Sequence, residues 1–182
     1  ALWVAHQNVA MPIVFICEDN GIGISVSTPS QWLESQFGHR EGLKYILCDG
    51  LSLTDTYRAA REAEHFARTR RRPVFLHAKT VRLLGHAGSD VEMSYRPLPS
   101  IEEIEFNDPL LHSARFALEN ELASAEEIVR MYKQVEAQVA AVGEYVKTRP
   151  KFLKREEVRA SLIACAHPKT SPPKPSYEDL LE

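Results

Sequence analysis

Short apolar runs alternate with longer amphipathic stretches through the first hundred residues of the chain. Three apolar runs have the length of strands, at residues 12–17, 45–48 and 74–78, and each is followed by polar or glycine-containing residues. Between the last two runs, residues from about 52 to 71 show helical spacing. The apolar positions of that predicted helix are Tyr57, Ala60, Ala63 and Ala67. Strands that alternate with helices predict an α/β fold with a mainly parallel sheet flanked by helices.

Start signals define the other predicted helices. A short helix is expected to begin at Pro29, with Thr28 as its N-cap and with Trp32 and Leu33 facing inward. Ser52 or Thr54 is expected to cap the helix that ends near residue 71. Further along the chain, three start signals follow one another: Ser100 with Glu103, Asn107-Asp108-Pro109, and Ser124 with Glu127. The chain is therefore predicted to be helical from about residue 100.

The helix that follows Ser124 carries a long apolar stripe. Its members are Ile128, Met131, Val135, Val139 and Val142. Such a stripe is expected to pack against the sheet domain or against a partner helix. We divide the chain into the α/β domain at 1–100, a helical extension at 101–148, and a tail or linker at 149–182 with a short helix near 156–164 and several prolines. Residues 1–8 have the pattern of a helix end without a start signal, so we expect the chain to begin inside a domain.

Composition narrows the class of protein. With 182 residues, 44% of them hydrophobic, the chain has enough apolar material for one domain with a core. The formal net charge of −3 shows no excess of positive charge, so nucleic-acid binding is not expected. Cys17 and Cys48 lie in strand-like runs, as reduced thiols of a cytoplasmic protein do. No apolar run approaches the roughly 18 residues of a membrane span, so no membrane role is expected.

Two polar clusters follow predicted strands and carry the candidate chemistry. Glu18, Asp19 and Asn20 come directly after the first strand, and a loop with Arg82 and His86 follows the third. Open α/β sheets bind ligands outside the carboxyl ends of their parallel strands. The two clusters are therefore interpreted as halves of one diphosphate and magnesium site, although polar loops also end strands in proteins that have no site there.

These residues resemble a known family. The runs F-I-C-E-D-N, from Phe15, and K-T-V-R-L-L-G-H-A-G-S-D-x-x-x-S-Y-R, from Lys79, are similar to the α subunit, or α segment, of the thiamine diphosphate-dependent E1 component of 2-oxo acid dehydrogenase complexes. The resemblance spans roughly residues 10 to 145. It implies the thiamine diphosphate-binding fold, incomplete at its N-terminus here, and identifies the chain as a C-terminal fragment of such a subunit.

The resemblance also implies roles for single residues. Asn20 matches a residue whose side-chain oxygen binds Mg²⁺, and Ile22, beyond Gly21, matches one whose carbonyl oxygen binds it; hard oxygen ligands of this kind suit that ion. Arg82 matches the arginine that reaches the diphosphate, and its planar cationic fork suits phosphate oxygens. His86 matches a loop histidine near the reacting carbon of the cofactor. The residues expected to support that loop are Ser89, Asp90, Tyr95 and Arg96.

Departures from the family pattern change the expectations. Gly21 and Ile22 stand where relatives often carry a basic and an aromatic residue. Ala87 replaces a serine that mitochondrial relatives phosphorylate, so no phosphorylation is expected at this position. The G-D-G-like element that gives the family an aspartate ligand for the metal does not occur before Asn20. The isolated chain is therefore expected to lack the full metal shell and to be inactive.

The resemblance implies oxidative decarboxylation of a 2-oxo acid and transfer of the acyl group to a lipoyl group of an E2 subunit. It further implies an oligomer with an E1 β subunit, or a fused β segment, which supplies a glutamate to the cofactor. An acetoin dehydrogenase of the same type and a non-catalytic assembly or scaffold segment remain alternatives. The identity of the 2-oxo acid is left open by the sequence.

Overall fold

The computed structural model describes residues 10–160. Along the chain the elements are β1 (Val14–Asp19), β2 (Ile22–Gly23), β3 (Val26–Ser27), α1 (Trp32–Phe37), β4 (Lys44–Asp49), α2 (Leu53–Arg70), β5 (Val74–Lys79), a 3₁₀ turn (Glu92–Ser94), α3 (Leu98–Phe106), α4 (Pro109–Glu119), α5 (Ala125–Thr148) and α6 (Arg155–Ala160). The predictions for residues 1–8, for the end of the short helix after 160 and for the proline-containing tail lie outside the described residues.

A parallel three-stranded sheet forms the centre of the fold. Its strand order is β1-β5-β4, and both neighbours of β5 run parallel to it. All residues of β5 except Lys79 are buried, because this strand is covered on both sides and on both faces. Ile16 of β1, at the edge of the described sheet, is 65% exposed. The predicted α/β class with a parallel sheet flanked by helices is confirmed.

Helix α2 packs its alanines against one face of the sheet. Ala59, Ala63 and Ala67 are buried, and they belong to one cluster with the strand residues Ile46, Cys48, Val74, Leu76 and Ala78. Tyr57 and Ala60, the other two apolar positions at helical spacing, are exposed. The buried positions are four residues apart, and small side chains there let the helix lie close to the strands.

This close approach predicts a stability difference between two alanines of the same helix. Ala63→Leu adds three carbon atoms to a filled space and should lower the free energy of unfolding by about 1–3 kcal/mol. Ala60→Leu, on the exposed side of α2, is the matched control and should change the free energy by less than about 0.5 kcal/mol. Urea denaturation followed by circular dichroism measures both, and equal losses would contradict the observed helix orientation.

Side chains cap three helices at the predicted residues. The Ser52 hydroxyl accepts a hydrogen bond of 3.3 Å from the Asp55 N–H at the start of α2. The Asp108 carboxylate accepts one of 2.7 Å from the N–H of the residue two places later, at the start of α4. Ser124 and Glu127 bond reciprocally before α5, as a capping box requires. Local sequence signals thus fix these helix starts.

Two other predicted helix starts are wrong. Helix α3 begins at Leu98, after Pro97, so Ser100 lies inside its first turn and does not cap it. A proline near the start suits a helix because the first N–H groups have no intrahelical partner. Helix α1 begins at Trp32 after a left-handed residue, Gln31, and not at Pro29. Trp32 is 49% exposed, so its predicted inward orientation is also wrong.

The chain divides into two compact units, one up to Arg130 and one from Met131 onward. In the second unit, Met131, Val135, Val139 and Val142 are each more than half exposed. The domain boundaries and the packing partner assigned to this stripe stay predictions. Within residues 10–160, no helix combines the length and the apolar character needed to cross a bilayer.

Candidate functional site

The turn after β1 is fixed by its own side chains. One carboxylate oxygen of Asp19 accepts a hydrogen bond of 3.0 Å from the Gly21 N–H, and the amide oxygen of Asn20 accepts one of 3.1 Å from the Ile22 N–H. Gly21 has a φ of +72°, which glycine adopts at little cost. The Gly21 carbonyl oxygen in turn accepts from the Thr28 N–H at 3.0 Å. The Asn20 oxygen keeps a second lone pair for a ligand.

A small hairpin follows this turn and reaches the second predicted cluster. Strands β2 and β3 pair antiparallel, and Ile24 between them has a φ of +60°. A β-branched residue in this region is strained, at a cost of roughly 1–3 kcal/mol. Its carbonyl oxygen accepts a hydrogen bond of 2.9 Å from Nη1 of Arg82. The structure therefore brings Arg82 to the hairpin that begins at Ile22.

Hydrogen bonds to neighbouring groups hold the side chain of Arg82. Its side chain is 15% exposed, and Nη2 donates to the Tyr95 hydroxyl at 2.8 Å. The carboxylates of Asp90 and Glu92 each lie 3.9 Å from the same nitrogen. The Nε–H group is buried and has no hydrogen-bond partner among residues 10–160. A guanidinium group has the charge and the planar shape that suit an anionic ligand such as a phosphate.

The loop that carries His86 is organised by Asp90. One carboxylate oxygen of Asp90 accepts hydrogen bonds from the His86 backbone N–H at 2.6 Å and from the Tyr95 hydroxyl at 2.8 Å. The His86 N–H contributes most, and together these bonds hold the pKa of Asp90 below its ordinary value. A Cβ on Gly85 would lie 2.8 Å from the Asp90 carbonyl oxygen, so only glycine fits there. The imidazole of His86 is exposed.

The residues predicted to support the loop take different places. Asp90 and Tyr95 join the hydrogen-bond network of Arg82, and Arg96 forms an ion pair with Glu92 beside it. Ser89 is exposed. The assigned roles of all these residues remain predictions, but three of the four lie in one network.

An open cavity of about 490 Å³ lies at the carboxyl end of β1 and β5. Its lining residues include Asp19, Asn20, Gly21, Thr28, Trp32, Glu34, His77, Lys79 and Thr80. The sequence analysis identified the first three and missed the residues from β5. Apart from polarity inside a buried strand, His77 gave no signal in the sequence.

Asp19 is the last residue of β1 and lines the cavity. Burial raises the pKa of this carboxyl group, but hydrogen bonds from the Gly21 N–H and from His77, together with the charge of Lys79, outweigh burial and lower the pKa below its ordinary value. Asp19 is therefore a carboxylate at neutral pH. A negative charge beside Asn20 favours a cation at this turn.

The donor set suits a partial magnesium site. An amide oxygen and a turn carbonyl are hard ligands that Mg²⁺ accepts alongside phosphate oxygens and water. Among residues 10–160, no group of three or more His, Cys, Asp or Glu side chains is placed to hold a metal ion by itself. A metal bound at Asn20 therefore needs further oxygens from a ligand or from other residues.

The sequence profile of the dehydrogenase E1 component matches residues 5–153. The chain is 30% identical over 156 residues to the pyruvate dehydrogenase E1 component subunit alpha of Rickettsia felis, covering 84% of this chain and 43% of that protein. It is 28% identical over 143 residues to the 2-oxoisovalerate dehydrogenase subunit alpha of Bacillus subtilis, covering 77% and 43%. For the mitochondrial pyruvate dehydrogenase E1 alpha subunit of Sminthopsis macroura, the identity is 26% over 152 residues, with coverage of 82% and 40%. The chain thus spans about two fifths of the length of these relatives.

Proposed function

The chain belongs to the dehydrogenase E1 component family, and from this premise we propose that it forms part of the cofactor site of a 2-oxo acid dehydrogenase. The proposed reaction is oxidative decarboxylation of a 2-oxo acid with transfer of the acyl group to an E2 lipoyl group. The proposed partners are an E1 β subunit, or a fused β segment, and E2, in an oligomer in the cytoplasm. Relatives named for pyruvate and for 2-oxoisovalerate both match, so the acyl chain is left open.

One observation supports the proposal most directly. The Arg82 guanidinium donates to the carbonyl oxygen of Ile24, in the hairpin that begins two residues after Asn20. This hydrogen bond connects Arg82 to the hairpin that directly follows the turn with Asn20, although 62 residues separate Asn20 from Arg82 in sequence. A magnesium diphosphate needs a cationic fork for phosphate and hard oxygens for Mg²⁺ next to each other.

Each residue has a proposed task. Asn20 and Ile22 would give oxygen ligands to Mg²⁺, and Arg82 would bind the diphosphate. Thiamine diphosphate, when bound, supplies the carbanion and the electron sink. His86, an exposed residue of its loop, would give or take a proton at the reacting groups, a role that imidazole can fill as donor or acceptor.

Calorimetry on the complete enzyme tests the assignment. Thiamine diphosphate is titrated with and without Mg²⁺ into the parent and into Asn20→Ala. The parent should take up the cofactor only with the metal, and the variant should need more Mg²⁺. A scaffold protein would show no such uptake, and a panel of 2-oxo acids and acetoin then separates the dehydrogenase from the acetoin-type enzyme.

The 182-residue chain on its own should not turn over any 2-oxo acid. The described residues offer too few metal ligands, and the proposed β partner supplies the glutamate that activates the cofactor. Decarboxylation is followed by release of carbon dioxide in the presence of thiamine diphosphate and Mg²⁺, with the complete enzyme as the positive control. Measurable turnover by the chain alone would show that the site does not require a partner.

A further inference from the structure

Three hydrogen-bonded polar side chains cross the sheet on the face opposite α2, and we call them the Asp19–His77–Tyr45 network. Nδ1 of His77 lies 2.6 Å from the Tyr45 hydroxyl, and its Nε2 lies 2.9 Å from a carboxylate oxygen of Asp19. The three residues come from β4, β5 and β1, and their side chains share a face because alternate residues of a strand point the same way. His77 is 3% exposed.

Chemistry fixes the direction of the hydrogen bond between His77 and Asp19. The Asp19 carboxylate can only accept, so Nε2 of His77 must carry the proton of the 2.9 Å bond. The Tyr45 hydroxyl and Nδ1 of His77 share the second hydrogen bond, of 2.6 Å. Both ring nitrogens of His77 therefore have a hydrogen-bond partner, as a buried network requires.

Aromatic rings stack at the Tyr45 end of the network. The ring of Phe75 lies between those of Phe37 and Tyr45, with centroid distances of 4.3 Å and 6.1 Å, and both pairs are stacked. Stacked rings restrain the position of the Tyr45 hydroxyl. The hydrogen bond between Tyr45 and His77 therefore restrains the orientation of the His77 ring.

Asp19, at the other end of the network, restrains the turn that contains Asn20. The carboxylate oxygen of Asp19 that does not face His77 accepts from the Gly21 N–H at 3.0 Å, and the Asp19 carbonyl oxygen accepts from the Thr80 N–H at 2.8 Å. Asn20 lies between the two residues so restrained. Rotation of the Asp19 carboxylate would break the bond to Gly21.

We propose that His77 is a positioning residue for the metal-binding turn: it orients the Asp19 carboxylate, which orients Asn20, Gly21 and Ile22 toward Mg²⁺. This inference rests on the proposed function. A purely structural residue at this place would be apolar, as Leu76 and Ala78 on either side of it are. The reason is that burying a polar side chain costs the free energy of its lost hydration. Residues behind metal ligands typically change metal affinity 10- to 100-fold when removed.

The test uses the complete enzyme and measures Mg²⁺ affinity by calorimetry at saturating thiamine diphosphate. His77→Phe should weaken Mg²⁺ binding about 10- to 100-fold. His77→Gln keeps a donor for Asp19 and should restore most of the affinity. Tyr45→Phe keeps the stacked ring and should cause a smaller loss. Leu76→Val, a buried neighbour on the opposite face, is the matched control and should bind Mg²⁺ like the parent.

Hydrogen exchange of the Gly21 and Ile22 amides in the enzyme without cofactor gives a second readout. Both amides should exchange faster in His77→Phe and Tyr45→Phe than in the parent, and at the parent's rate in Leu76→Val. If the parent itself shows no Mg²⁺-dependent uptake of the cofactor, the proposed function fails. If Asn20→Ala weakens Mg²⁺ binding while the His77 and Tyr45 variants retain parental affinity and exchange rates, the inference about His77 alone is overturned.

Discussion

Replacing His86 with alanine in the complete enzyme should lower turnover about a hundred- to ten-thousand-fold, the range expected for general acid–base catalysis. The affinity for thiamine diphosphate should stay within a few-fold of the parent value, because the proposed diphosphate contact is made by Arg82 and not by His86. Acyl transfer to the lipoyl domain should show the loss most clearly. Steady-state turnover and cofactor titration together separate the two effects.

Ser89→Ala is the control for the His86 variant. Ser89 lies in the same loop and is exposed, so its replacement leaves the hydrogen bonds of Asp90 to His86 and Tyr95 in place. It should retain most of the turnover. A fully active His86→Ala, or an equal loss in Ser89→Ala, would show that His86 has no chemical role of its own.

Replacing Arg82 with alanine should weaken thiamine diphosphate binding about 10- to 100-fold, since a charge-assisted hydrogen bond contributes about 1.5–3 kcal/mol. The side chain is already fixed by Ile24 and Tyr95, so little conformational entropy is lost when the diphosphate binds. Arg82→Lys keeps the charge but not the planar fork, and it should recover only part of the affinity. Calorimetric titration of the cofactor at saturating Mg²⁺ measures all three proteins.

Arg96 provides a matched control for Arg82. It has the same chemistry, and its side chain is 14% exposed against 15% for Arg82. Arg96 pairs with Glu92, whereas Arg82 also donates to the Ile24 carbonyl oxygen in the hairpin. Arg96→Ala should disturb the loop and leave cofactor affinity closer to the parent value. Equal losses in the two variants would indicate general loop damage and would remove the specific assignment of Arg82.

The sequence contains enough local information for the fold class and for several helix starts. Apolar runs of strand length predicted three parallel strands, and the caps at Ser52, Asp108 and Ser124 depend on bonds to amides two or three residues away. The start of α1 was missed because Pro29 also suits a turn before a helix. The apolar spacing alone did not identify the buried face of α2, because alanines occur on more than one side of it.

For the site, the sequence predicted the polar strand ends but not the contacts between strands. The pairs His77–Asp19 and Tyr45–His77 join residues 58 and 32 positions apart, and no spacing rule in one sequence reveals such pairs. The strained Ile24 was equally hidden, since a positive φ is signalled by glycine or asparagine and not by a β-branched residue. Tertiary contacts decide both features.

The exposed edge of the sheet has a practical consequence for anyone who produces this chain. In residues 10–160, β1 pairs on one side only and presents Ile16 to solvent, so its other edge is a ready template for a strand of another molecule. At high concentration such edges favour aggregation. Co-expression with the proposed β partner, at low temperature, should therefore yield more monodisperse material than refolding of the 182-residue chain alone.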